Sequence, residues 1–134
     1  MDKHMKKIQI KISNKQIDLR LNASLNESRN AKIIFDSLPL NGTVNFWGDE
    51  IYSKVPVELE NQDPKTEMGI GDLAYWPEGN CICIFFGRTP ASTNEKPVAA
   101  SPVTQIGKID SGLKKIKNLD RKKVMDITFA KKEE

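Results

Sequence analysis

GDLAYWPEGNCICIFF, residues 71–86, is the stretch that decides the fold. Residues 73–76 are largely apolar, residues 77–80 have the composition of a turn, and residues 81–86 are apolar at every position. Successive side chains of a strand point to opposite faces of a sheet. A run that is apolar on both faces therefore predicts a central strand covered on both sides, preceded by a second strand and a turn.

Alternation of apolar and polar residues extends this pattern in both directions along the chain. It is clearest at residues 8–12 and 17–21, where isoleucine and leucine occupy every second position. The same period predicts further strands at residues 43–47, 55–59, 103–109 and 125–129. Many short strands separated by turns are typical of a β-barrel or a β-sandwich.

One segment has a helical period instead. The spacing predicts one clear helix near residues 27–38, and Pro39 ends it because proline disfavours a helical conformation in the preceding residue. Ser24 and Glu27 fit a capping box that would satisfy free backbone donors. A second, short helix is predicted at residues 113–119. The apolar positions of the first helix are Ala31, Ile34, Phe35 and Leu38.

The length of 134 residues predicts a single domain over residues 1–134, with residues 1–5 as a flexible start and Met5 as an alternative to Met1 as initiator. The net charge is only +3, and acidic residues interrupt the C-terminal lysines, so a nucleic-acid partner is not expected. No apolar run is long enough for a membrane span, and no membrane partner is expected. The two cysteines and the absence of a signal-peptide core predict a cytoplasmic location.

The residue inventory leaves little room for catalysis. His4 is the only histidine, so a serine or cysteine nucleophile has no nearby base, and a histidine-rich metal site is excluded. Cys81 and Cys83 lie two apart on one strand face, where they are predicted to pack as inert small hydrophobes. The glycines of residues 69–72 precede a strand, not a helix, and so match no phosphate-binding loop. No cofactor and no metal are expected.

Several motifs in order resemble the small prokaryotic cyclophilin-like domain family, known mainly from uncharacterised bacterial and archaeal proteins. The resemblance implies a mainly β fold: a closed cyclophilin-like β-barrel of about eight strands with one clear helix and one short helix. The Phe-His-Arg and Gln-Gly-Gly-Asp stretches of true cyclophilins are absent, which argues against efficient prolyl isomerisation. The motifs are residues 38–40 (LPL), 47–52 (WGDEIY), 71–77 (GDLAYWP), 85–90 (FFGRTP) with Ser92, and 106–109 (IGKI).

An aromatic and acidic cluster is the candidate site. Glu50 needs a donor or a ligand to offset its desolvation if it lies beside aromatics. Adjacent strand residues face opposite sides, so only one of Tyr75 and Trp76 can face the site fully. The alternative is that the aromatics are barrel core and that Arg88 is a solvent-facing loop residue. The candidate ligand-binding residues are Trp47, Glu50, Tyr52, Tyr75, Trp76, Phe86, Arg88 and Thr89.

Three functions are compatible with these residues. The first is a binding module that takes a small molecule or an extended, proline-containing peptide in an aromatic-lined pocket. The second is a weak peptidyl-prolyl isomerase with Arg88 as the donor to the proline nitrogen. The third, more remote, is a subunit of an oxoprolinase-like complex. The sequence does not specify the ligand, the oligomeric state or whether catalysis occurs.

Overall fold

The computed structural model describes residues 5–132, within which ten strands and two helices lie. The mainly β architecture with one clear and one short helix is as predicted. Residues 1–4 of the predicted flexible start, including His4, lie outside the described residues. Between residues 5 and 132, no helix has the length and apolar character needed to cross a membrane. The elements are β1 (Lys6–Ser13), β2 (Asp18–Leu25), α1 (Arg29–Ser37), β3 (Leu40–Thr43), β4 (Asn45–Phe46), β5 (Glu50–Lys54), β6 (Lys65–Glu67), β7 (Asp72–Trp76), β8 (Cys81–Phe85), β9 (Val98–Ser111), α2 (Leu113–Ile116) and β10 (Asp126–Lys131).

The strands form one antiparallel sheet in the order β3-β10-β1-β2-β9-β7-β8-β5-β4, with β6 paired to the first part of β9. The predicted closed barrel of about eight strands is wrong, because in the described part of the chain no ladder joins the two ends, β3 and β4. These ends are consecutive in the chain and only Val44 separates them. Before Val44 the chain pairs with β10, and after it the chain pairs with β5. The two ends of the sheet are therefore joined by the covalent backbone and not by strand pairing.

Helix α1 begins later than the sequence predicts. Its N-cap is Ser28, whose hydroxyl accepts a hydrogen bond from the backbone N–H of Ala31 at 3.2 Å. The predicted cap at Ser24 is wrong, because β2 continues to Leu25 and keeps the chain extended. The apolar alternation of β2 runs on into the core at that point and prevails over the capping signal. The helix ends before Pro39, as predicted.

The sheet buries apolar side chains on both of its faces around β8. Ile82 and Ile84 contribute to the large inner core, which α1 also covers through Ile34. Cys83 and Phe85 point the other way, into a smaller outer cluster with Ala74, Met68, Ala99 and Val103. The prediction of a central strand covered on both faces is confirmed, since β8 lies between β7 and β5 and all five of its residues are buried.

The segment after β5 departs from the predicted strand. Residues 55–61 form no strand, although their apolar positions alternate. The Tyr75 hydroxyl donates to the carbonyl of Val57 and accepts from the N–H of Leu59 at 3.2 Å. A side chain therefore satisfies backbone groups that a neighbouring strand would otherwise pair. The polar stretch that follows contributes the short strand β6.

Candidate functional site

One cavity of about 140 Å³ opens on the outer face of the sheet, beside the smaller apolar cluster. Its walls combine three aromatic side chains, one carboxylate and three small aliphatic side chains. β4, β5, β7 and β9 contribute these groups, either from the strands or from the residue that follows them. The lining residues are Trp47, Glu50, Tyr52, Trp76, Ala99, Ala100 and Val103.

A tight hairpin between β4 and β5 brings Trp47 and Glu50 together. The backbone N–H of Trp47 donates to the carbonyl of Glu50 at 2.9 Å, and the reverse bond is 3.2 Å. Gly48 has φ +59°, and a Cβ there would lie 2.7 Å from Cδ of Pro90. The turn therefore requires glycine, both for its backbone conformation and for its close packing against the loop that follows β8. Tyr52 lies two residues beyond Glu50 and so shares its face of β5.

Arg121 fixes the same turn from outside the cavity. Its guanidinium donates to the carbonyl of Gly48 at 2.8 Å and to Oδ1 of Asp49 at 2.7 Å. The guanidinium also lies 4.8 Å from the ring centroid of Phe46. No signal in the local sequence pattern identifies this role of Arg121. Arg121 thus holds the turn that follows Trp47 through the backbone of Gly48 and the side chain of Asp49.

Trp76 forms a wall whose orientation is set by two contacts. Its indole N–H donates to the hydroxyl of Ser101 at 2.6 Å, which ties β7 to β9 across the cavity edge. Its ring meets that of Tyr52 edge to face, with centroids 6.4 Å apart and planes at 81°. A Cβ on Gly79 would lie 2.5 Å from the indole, so the turn after β7 packs directly on the ring. The two aromatic walls are therefore perpendicular and fixed.

Glu50 is the charged group of the cavity, and it is only 6% exposed. Burial raises the pKa of Glu50 from 4.5 to about 7, and a hydrogen bond with the Cys83 thiol opposes part of that rise. Burial and the neighbouring Glu50 raise the pKa of Cys83 well above its ordinary value. Cys83 is therefore a neutral thiol, and the carboxylate has no basic side chain among the residues that line the cavity within residues 5–132.

The other four predicted site residues lie elsewhere. Tyr75 points into the inner core, as the alternation with Trp76 requires, and Phe86 packs there against Phe46 with centroids 6.4 Å apart. The Arg88 side chain is exposed and does not line the cavity. Thr89 is buried, but its hydroxyl donates to the carbonyl of Val98 and so holds its own loop. None of these four residues lines the cavity, so its geometry gives no support for a role of theirs in binding a ligand.

The sequence did not single out the wall that β9 supplies. Ala99, Ala100 and Val103 line the cavity from β9, but the strand predicted from the sequence begins only at residue 103 and leaves out the two alanines. Small aliphatic residues have no functional group that would mark them as site residues in a sequence. Only the pairing of β9 with β6 and β7 brings them to the wall of the cavity. Among residues 5–132 there is also no cluster of three or more histidine, cysteine, aspartate or glutamate side chains arranged for a metal ion.

Comparison with known proteins gives the family. A family model described as Cyclophilin-like matches residues 6–128, which is most of the chain. The chain belongs to the cyclophilin-like family. This cyclophilin-like protein is also similar to a hypothetical protein of Archaeoglobus fulgidus, whose structure was determined in solution. The two are 32% identical over 98% of this chain and 100% of that one, with a TM-score of 0.70.

No curated protein matches this cyclophilin-like chain. The archaeal neighbour is itself described as hypothetical, with no ligand or reaction named. Family membership therefore establishes the fold and confirms the resemblance seen in the motifs. Since one fold hosts many functions, the function of this cyclophilin-like protein has to be argued from its cavity.

Proposed function

We propose that the protein is a binding module that takes a small molecule, or one projecting side chain of an extended peptide, in the cavity beside Glu50. The observation that carries the proposal is a buried carboxylate enclosed by Trp47, Tyr52 and Trp76 in a cavity that opens to solvent. Aromatic walls with a few convergent polar groups are the usual composition of ligand sites. The volume of about 140 Å³ suits a single compact group better than a large cofactor.

The position of Glu50 supports a ligand more than a structural role. A buried carboxylate usually has a basic partner or several donors, because its desolvation is costly. Here the stabilising contact is with a weak donor, the Cys83 thiol. A buried carboxylate without a strong hydrogen-bond donor or a basic partner is a candidate functional group, because a ligand can supply that donor or positive charge.

Both tryptophans of the chain line the cavity, which gives a direct test of binding. In a ¹H–¹⁵N spectrum the two indole N–H signals come from side chains that line the site. Titration with a panel of small neutral and charged fragments should yield ligands that shift both indole signals together with backbone amides of β5 and β9. Trp47→Phe and Trp76→Phe assign the two signals.

Glu50→Gln should weaken those ligands that contact the carboxylate, while Glu58→Gln, an exposed carboxylate outside the cavity, should not. Fragments that shift amides only elsewhere on the molecule would contradict the proposal. A complete absence of indole shifts across the panel would contradict it too.

Prolyl isomerisation is expected to be weak or absent. The donor that the sequence suggested, Arg88, is exposed and does not line the cavity. A desolvated donor near the proline nitrogen is what this reaction needs, and an arginine in open solvent is not one. In a protease-coupled assay on a proline peptide, the wild type and Arg88→Ala should give the same small rate. A rate close to that of ordinary cyclophilins, lost in Arg88→Ala, would reverse this conclusion.

A further inference from the structure

We propose, building on the binding role above, that the cavity selects ligands carrying a positively charged nitrogen, an organic ammonium group that pairs with Glu50 inside the aromatic walls. The ligand class follows from what faces the carboxylate and what does not. The same chemistry could come from a free amine or from a lysine side chain of an extended peptide.

The charges around the cavity leave the carboxylate without a counter-ion. Glu50 is the one acidic or basic side chain among the lining residues that the structure describes. The titratable groups near it are the thiols of Cys81 and Cys83, both of whose pKa values are raised, the Tyr52 hydroxyl on its own strand, and the exposed Lys54 at the end of that strand, whose charge acts on Cys81. The neighbouring Asp49 is already paired with Arg121 at 2.7 Å.

The aromatic walls favour the same kind of ligand. Tryptophan and tyrosine faces attract cations through the quadrupole of the ring, and the attraction grows when the cation is desolvated. Tyr52 and Trp76 meet at 81°, so they form two adjacent walls of a box, and Trp47 stands next to Glu50 on the hairpin. A carboxylate within an aromatic box satisfies an ammonium group both by charge and by ring contact. A neutral or anionic ligand would leave the Glu50 charge uncompensated.

Protonation of Glu50 should gate this selectivity. With the pKa of Glu50 at about 7, the carboxylate is mostly neutral at pH 6 and mostly charged at pH 8. An ammonium ligand pairs with the charged form only, so its affinity should rise about tenfold between pH 6 and pH 8. A neutral ligand of the same shape should show no such rise.

The decisive comparison uses two probes of the same shape, cyclopentylammonium and cyclopentanol. Both are titrated at pH 6 and pH 8 and followed by the two indole N–H signals. The ammonium should bind at least fivefold more tightly than the alcohol at pH 8, and that advantage should fall sharply at pH 6. Glu50→Gln should abolish the advantage, Glu50→Asp should retain part of it with its pH dependence, and Glu58→Gln should leave it unchanged.

The outcomes separate this inference from the binding role on which it rests. If the alcohol binds at the site as tightly as the ammonium at pH 8, or if Glu50→Gln keeps the preference, the ammonium selectivity is wrong and the binding role stands. If no probe and no fragment shifts the indole signals, both are wrong. Blocked lysine amide, added as a third probe, distinguishes the two sources. Tighter binding than cyclopentylammonium indicates a peptide side chain, and weaker binding a free amine.

Discussion

Replacing Gly107 by alanine is expected to destabilise the protein by about 3 kcal/mol or more, because the added methyl group meets backbone on a strand paired on both sides. A Cβ at this position would lie 2.1 Å from the carbonyl oxygen of Ser24 and 3.0 Å from Cα of Leu25. Gly107 is paired with Leu25 of β2 and with Leu73 of β7. Neither neighbour can move away without breaking a ladder, so the strain cannot relax locally.

Urea unfolding measures this effect, and Gly69→Ala is the matched control. A Cβ on Gly69 would have its nearest contact at 3.4 Å, with the side chain of Asp72. That variant should therefore change the free energy of unfolding by less than about 1 kcal/mol, because alanine without a clash acts mainly by reducing the entropy of the unfolded chain. Equal loss in the two variants would show that the approach of β9 to β2 is looser than the structure indicates.

Glu50→Gln is expected to stabilise the protein at alkaline pH. The pKa of Glu50 rises from 4.5 to about 7 on folding, so its stability contribution is fully present below pH 4.5 and is lost as the pH rises through 7. The full penalty above pH 7 is about 3 kcal/mol, because each unit of pKa difference corresponds to about 1.4 kcal/mol. Glutamine keeps the shape of the side chain and cannot ionise. The variant should therefore match the wild type near pH 4 and exceed its free energy of unfolding at pH 8.

Unfolding in urea at a series of pH values checks this expectation, with Glu58→Gln as the control for the general effect of losing a carboxylate. Glu58 is exposed, so its removal should leave the pH profile almost unchanged. A Glu50→Gln profile parallel to that of the wild type would mean that Glu50 titrates normally. A residue whose removal improves stability but weakens binding is the pattern expected of a functional site.

Much of the fold could be predicted because its signals are local. In β1 and β2 the alternation of apolar and polar residues indicates that one face of each strand is buried. In β8 the apolar run indicates that both faces are buried. Trp47, Glu50 and Tyr52, all named as candidate site residues and close together in the sequence, do line one cavity. Their role in binding a ligand remains a prediction.

The failures of prediction concern features that depend on distant parts of the chain. Whether the sheet closes is decided by the change of partner at Val44, which leaves no mark in a period-2 pattern. Ser24 satisfies a capping motif but lies in a strand that β1 and β9 hold extended. Arg121 reaches the turn at Gly48 across 73 residues of sequence. Such contacts exist only once the tertiary structure has formed.

The arrangement of the sheet also bears on how the protein avoids aggregation. Residues 81–86 form an uncharged, β-prone run of the kind that assembles into fibrils when it is exposed. In the folded protein β8 has a paired neighbour on each side, and the strands at the margins, β3, β4 and β6, have only four, two and three residues. Margins this short offer little template to a second chain. Self-association should therefore follow the population of unfolded molecules, so variants that strain the packing of β9 would promote fibril growth and those that relieve the charge at Glu50 would suppress it.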